Sequence, residues 1–352
     1  MTVRQLALTI PMVVVVLSAR PAGAQSPSVS VGGVIYTNFH YQLDRDTSLA
    51  VDGRRNNFDV ERSYITVSSK SGIFSGRVTA DVDGRRAASN QQTIRLKYAY
   101  VALTPTGSQL TLKLGAVQTP FIEFDEAMWG YRMQGTMAMQ RNGYLTSSDF
   151  GFSADMSWMN QGLEVAAGVF NGEGYSGAPG DQYKDVAGRI SVRLLRSDDA
   201  SRLGGLRATG FALVGQRNGG GPRERYLGML SWRSKALTVA AQYATTTDSL
   251  SGTAPEVEGE VISAYATYGV PASPIRLLAR VDVVDPDADS EPDTPSLGAG
   301  RQTRVIAGVS YQATPNVRFL ADADFASLNH GSPSPAFEGT RRTLYFHAEY
   351  KF

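Results

Sequence analysis

The chain of 352 residues contains no cysteine, so no disulfide framework staples it and it has no thiol chemistry. Histidine is nearly as scarce: His40, His330 and His347 are the whole supply. No GxSxG nucleophile elbow accompanies them. An excess of either charge is missing too, with 34 Lys and Arg against 33 Asp and Glu, a formal net charge of +1. That balance removes the sequence-wide basic character expected of a nucleic-acid binder. Beyond the first residues no apolar run approaches the roughly 20 residues a spanning helix needs. Helical periodicity is lacking almost everywhere, and 36 glycines with frequent aromatics take its place.

The amino terminus reads as a leader. Arg4 precedes an apolar run from Leu6 to Leu17, broken only by Thr9 and Pro11, and Ala22-Gly23-Ala24 follows as a small-residue cleavage site. Residues 1–24 are expected to be a signal peptide and 25–352 a single β domain. The first strand pattern starts soon after residue 24, which leaves no room for the plug domain of an actively gated transporter barrel.

From there the pattern is a period of two. In Phe74–Asp83 one face is Phe74, Gly76, Val78, Ala80 and Val82, and the other is Ser75, Arg77, Thr79, Asp81 and Asp83. In Ile94–Leu103 the alternation puts Ile94, Leu96, Tyr98 and Tyr100 on one face and opens the other with Arg95 and Lys97. Sixteen such segments can be counted between Val31–Tyr41 and Leu344–Phe352. Every second connection is short (Lys70–Ile73, Thr104–Ser108, Asn160–Gly162, Ser234–Ala236), while intervening ones such as Gln118–Asp149 and Asn171–Lys184 are long and polar. The fold class expected is therefore all-β: a transmembrane antiparallel barrel of about 16 strands with short periplasmic turns and long outer loops. A soluble sandwich accounts for the alternation equally well but gives no reason for the loop asymmetry. The last strand adds weight to the membrane reading, with Leu344, Phe346, Ala348, Tyr350 and Phe352 sharing one face.

Several stretches together resemble the phosphate-selective porin O and P family: FDVERSYITVSSKSGIFSGRVTADVD at 58–83, LKYAYVAL at 96–103, GAVQTPFIEFDEAMWGYR at 115–132 and NGEGY at 171–175. The likeness is densest over residues 30–195 and lies in the order of the motifs. It implies a homotrimer in the outer membrane whose third outer loop folds into the lumen and narrows it. The segment 118–149 stands at that ordinal position. Phosphate-selective members are associated with lysine-rich constrictions, whereas this loop offers Arg132 and Arg141, no lysine, and the acids Glu123, Asp125 and Glu126.

On the lumen face the alternation places Arg77, Arg95, Lys97, Lys113, Arg189, Arg193 and Arg207 in the first half. Arg225, Arg233, Arg276, Arg280, Arg304, Arg318 and Lys351 follow in the second. The acids there, among them Asp81, Asp155, Glu164, Asp282, Asp322, Asp324 and Glu349, are fewer. A basic lining favours anions electrostatically, unless the charges pair across neighbouring strands. The alternating acids from Asp285 to Asp293 lack the Gly and Glu of a calcium loop, with Ser290 and Ser296 in those places, and read as a solvated outer loop. His40 and His347, on strands that closure would bring together, form the remote hydrolase reading. The expectation is a passive diffusion channel for small hydrophilic solutes, leaning toward anions such as phosphate or other oxyanions, surrounded by lipid and lipopolysaccharide. It needs no enzyme activity, metal or cofactor, and a general non-selective channel is the alternative.

Overall fold

The computed structural model describes residues 26–45, 53–86, 92–177, 180–288, 300–328 and 339–352. The segment 1–24 expected to be a signal peptide, most of the acidic stretch after Asp285, and His330 lie outside them. Sixteen strands form in chain order. The first eight are β1 (Ser28–Gln42), β2 (Asn56–Ser71), β3 (Phe74–Arg86), β4 (Gln92–Leu103), β5 (Leu110–Gln118), β6 (Ser148–Trp158), β7 (Leu163–Phe170) and β8 (Asp185–Leu195). The others are β9 (Gly205–Gln216), β10 (Pro222–Arg233), β11 (Leu237–Asp248), β12 (Val257–Gly269), β13 (Ile275–Asp285), β14 (Gln302–Thr314), β15 (Val317–Leu328) and β16 (Gly339–Lys351).

Each strand pairs antiparallel with its sequence neighbours, and β1 pairs with β16 to close the barrel. Closure removes the free edges that an open sheet would present. The seam is sealed at the carboxyl end, where the Gly33 and Phe352 backbones exchange hydrogen bonds of 3.0 and 3.1 Å.

Alternation sorts the side chains as a lipid-facing wall requires. Leu344, Phe346, Tyr350 and Phe352 are exposed on the outside, while His347 and Glu349 on the same strand are buried inside. The hydrophobic core therefore sits in the lumen and comes chiefly from the connection between β5 and β6. That connection carries helix α1 (Ile122–Trp129), a 3-10 turn (Arg132–Gln134) and helix α2 (Ala138–Arg141). Phe121, Ile122, Met133, Met137 and Met139 are fully buried there, with Phe124, Met128 and Trp129 nearly so. They pack with inward residues of the far wall such as Tyr265, Leu278, Ile306 and Leu320.

Of the four strand pairs that break register among the described residues, two lie at the same side of the barrel. Tyr36 faces Arg62 and Thr37 faces Val60, so Glu61 is an extra residue in β2. Thr79 faces Tyr98 and Ala80 faces Leu96, so Lys97 is an extra residue in β4. A bulge turns every later side chain to the opposite face. The face expected for Tyr98 and Tyr100 is corrected accordingly: Ile94 and Leu96 point outward, whereas Tyr98 is buried inside and the Tyr100 hydroxyl accepts from Gln118 Nε2 at 3.5 Å.

Candidate pore constriction

The loop from Gln118 to Ser148 crosses the lumen because its apolar residues have nowhere else to be buried. Each such side chain contributes about 1.5–3 kcal/mol when it leaves water. Burial decides that the loop docks, and polar contacts decide where. Five wall arginines each donate to a loop carbonyl: Arg189 to Pro120 (2.8 Å), Arg233 to Ala127 (3.0 Å) and Arg318 to Gly130 (2.7 Å). Arg280 reaches Thr136 (3.1 Å) and Arg225 reaches Tyr144 (3.2 Å). Each of these guanidiniums also holds a carboxylate of the wall or, for Asp199, of the β8–β9 turn: Glu164 (3.3 Å), Asp199 (3.0 Å), Glu349 (3.0 Å), Asp282 (2.7 Å) and Asp248 (2.8 Å), in the same order. The loop tip adds Tyr131 with Ser310 at 2.7 Å and Gln134 donating to Asp324 at 3.3 Å.

Helix α1 has two faces. Asp125, fully buried, points to the wall, where it accepts from the Tyr265 hydroxyl (2.9 Å) and Gln242 Nε2 (3.1 Å). Burial pushes its carboxyl up to about 6, against the pull of those two donors. Glu123 and Glu126 lie on the other face and are only partly buried. Glu126 takes Arg132 Nε at 3.1 Å, and Arg132 Nη1 stands 4.0 Å from the bulged Glu61. Arg141 turns to the wall with Asp125: its side chain meets Gln134 (3.3 Å) and Asp282 (3.7 Å). Burial and the guanidiniums of Arg304 and Arg280 push it down to about 9, still charged at neutral pH. Of the five loop residues expected at the constriction, Glu123, Glu126 and Arg132 gather on the open side. Asp125 and Arg141 anchor the loop instead, because a short helix cannot show adjacent residues to one face.

The arc β2–β5 faces α1 and holds its cations differently. Arg77 lies 4.4 Å from the Tyr98 ring centre and Lys97 Nζ lies 4.5 Å from that of Tyr64. Among the described residues neither forms an ion pair; Arg77 donates to Thr79 Oγ1 (3.1 Å) and Lys97 to the Tyr64 hydroxyl (3.4 Å). Lys113 combines both modes, with Asp155 at 2.6 Å and the Tyr100 ring at 5.6 Å. Arg95 stands 4.0 Å from Asp81 and 5.6 Å from the Tyr175 ring. Arg193 and Arg276, also expected to line the pore, are engaged at the short-turn end by backbone carbonyls of Ser201, Arg202, Lys235 and Ala236. Sequence reasoning missed Tyr36, Tyr64, Tyr98 and Tyr100 as lumen residues. The signal was present in the adjacent charges Glu61-Arg62 and in Lys97 beside Tyr98, which break strict alternation.

The two interior histidines have different partners. His347 Nε2 lies 2.9 Å from Asp322, and His40 Nδ1 lies 3.4 Å from Asn38 Oδ1. A cavity of about 500 Å³ opens on the short-turn side of the constriction, lined by Lys113, Gln118, Glu123, Glu164 and Arg189 among others.

No protein-family profile matches the chain, and a search of curated proteins finds no match. Solved structures do match. The anion-selective porin from Comamonas acidovorans superimposes with a TM-score of 0.65 at 12% identity, covering 93% of this chain and all of that one. Salmonella typhi OmpF, solved with daunomycin, gives 0.65 at 14% identity over 92% of this chain and 97% of its own. The outer membrane channel DcaP of Acinetobacter baumannii gives 0.63 at 11% identity over 93% and 98%. The sixteen-stranded barrel with its in-folded loop thus has the fold of outer-membrane porins.

Proposed function

We propose that the chain is an outer-membrane porin, a passive diffusion channel for small hydrophilic solutes with a preference for anions, including phosphate or other oxyanions. The observation that carries the preference is the pair Arg77 and Lys97, which rest on tyrosine faces and not on carboxylates. A cation on a ring keeps its full charge for the pore, whereas one on a carboxylate is cancelled locally. Opposite them Glu126 is neutralised by Arg132, which leaves Glu123, and Asp125 on the wall side, as the loop acids with no ion pair among the described residues. At physiological salt the screening length, about 8 Å, is comparable to a narrow pore's width, so a small imbalance governs which ion enters.

The exposed apolar outer wall fits lipid and lipopolysaccharide, and a homotrimer is the assembly that the family resemblance implies. Mobility of the unboiled protein on a denaturing gel, compared with cross-linked species, reports that assembly. The function itself is tested by the reversal potential of single channels across a potassium chloride gradient. Zero preference leaves a general diffusion porin, and the absence of any current removes the channel reading.

A further inference from the structure

Asn171–Tyr175, between β7 and β8, starts on the outer side and reaches back into the barrel. Asn171 N donates to Phe150 O (2.9 Å), Gly172 N to Asp149 Oδ2 (2.8 Å) and Tyr175 N to Ser148 O (3.1 Å). Gly172 and Gly174 have φ of 106° and 74°, values that favour glycine. A Cβ at 172 would collide with the Arg223 guanidinium and crowd Asp185, and one at 174 would press on Thr146. Two glycines therefore let the turn wedge against the returning limb of the constriction loop.

The consequence is that Tyr175 is delivered across the mouth to β3. Its hydroxyl donates to Asp81 Oδ2 at 3.0 Å, and its ring covers Arg95 at 5.6 Å. Asp81 is fully buried, and the same oxygen accepts from Arg62 Nη1 at 2.7 Å. Burial and the Asp81 charge push the phenol upward, so the hydroxyl stays a donor at neutral pH. β4 descends from the outer side, so Arg95 and the ring over it stand outward of Lys97.

Resting on the channel reading above, we propose that Tyr175 is a specificity-determining residue that forms a second, outer constriction. Its ring narrows the entrance above Lys97, and its hydroxyl seals Asp81 from the pore. Without that hydroxyl, Asp81 loses one of the two donors on its Oδ2 and keeps Arg62, so more of its negative charge reaches the head of the basic arc and favours cations. The two roles separate in two variants of the full-length barrel, studied in planar bilayers and in liposome swelling. Tyr175→Ala should raise single-channel conductance and admit larger neutral sugars than the wild type. Tyr175→Phe keeps the ring, so it should retain wild-type conductance while its reversal potential shifts toward cations. It removes one hydroxyl only, and it keeps the inference testable should the alanine variant fail to fold. Wild-type conductance and sugar exclusion in Tyr175→Ala overturn the steric role, and an unshifted reversal potential in Tyr175→Phe overturns the electrostatic one. A wild-type barrel that passes no current overturns the channel reading and this inference together.

Discussion

The two halves of the inner wall use the same residue type for opposite ends. On the arc from β7 to β16 five arginines sit between a carboxylate and a loop carbonyl, as Arg280 does between Asp282 and Thr136. On the arc from β2 to β5 the cations Arg77 and Lys97 sit on tyrosine rings. The first arrangement spends its charge on holding the loop and contributes little field to the pore. The second leaves its charge without a carboxylate partner, on a half-buried Arg77 and a buried Lys97. A count of basic residues on the lumen face cannot tell these apart, although the difference decides which of them select.

The comparison breaks most visibly in stability. Arg280 is 2% exposed and its partner Asp282 is 3% exposed, so removing the guanidinium strands a buried carboxylate and frees the Thr136 carbonyl. Loss of one partner of a buried pair costs about 3–5 kcal/mol. Arg280→Ala should therefore lower the temperature at which the folded band disappears on a denaturing gel and make the open-channel current noisier. Arg77→Ala should cost about 1 kcal/mol or less, since a cation on a ring is a weak contact. Equal losses in the two variants would contradict the division between clamp and selector.

A smaller effect concerns the facing helix. Glu123 is half-buried on the pore side of α1, so Glu123→Gln should strengthen anion preference without changing thermal stability. Asp125→Asn, one turn face away, should leave the reversal potential where it was. A shift in the second and none in the first would reverse the assignment of the helix faces.

The smallest effect is in pH. The docked Asp125 carboxyl titrates near 6, above the roughly 3.9 of a solvated aspartate. The docked loop therefore binds a proton that a released loop gives up, so docking is favoured below that range and weakens as pH rises through about 6. Current noise should grow between acidic and neutral pH, and Asp125→Asn should abolish the trend. Noise that falls as pH rises would contradict it.

Strand count and closure were legible in the sequence because a lipid-facing wall forces strict alternation, and chain order showed which connections are long; that the longest folds inward followed only from the family resemblance. The short turns at Thr104–Ser108 and Ser234–Ala236 alone go far toward setting orientation. The inward turn of Tyr98 and Tyr100 was not legible, since one extra residue at Lys97 changes no composition and only shifts the phase. Nor were the arginine clamps. Pairing between Arg318 and Glu349 depends on strand register, and its second bond to Gly130 depends on a main-chain carbonyl that no side-chain pattern encodes. A fuller reading of Met128, Met133, Met137 and Met139 within an outer connection would have exposed the loop's buried face, because four methionines so close together belong in an irregular core.

Arg77 and Lys97 are tested most directly by the zero-current potential of single wild-type and Arg77→Ala/Lys97→Ala channels in a potassium chloride gradient. The wild type should reverse on the chloride side, and the double variant should move toward potassium while keeping its thermal stability. A wild type that favours neither ion, or a double variant that reverses at the wild-type potential, would contradict the claim that ring-held cations select.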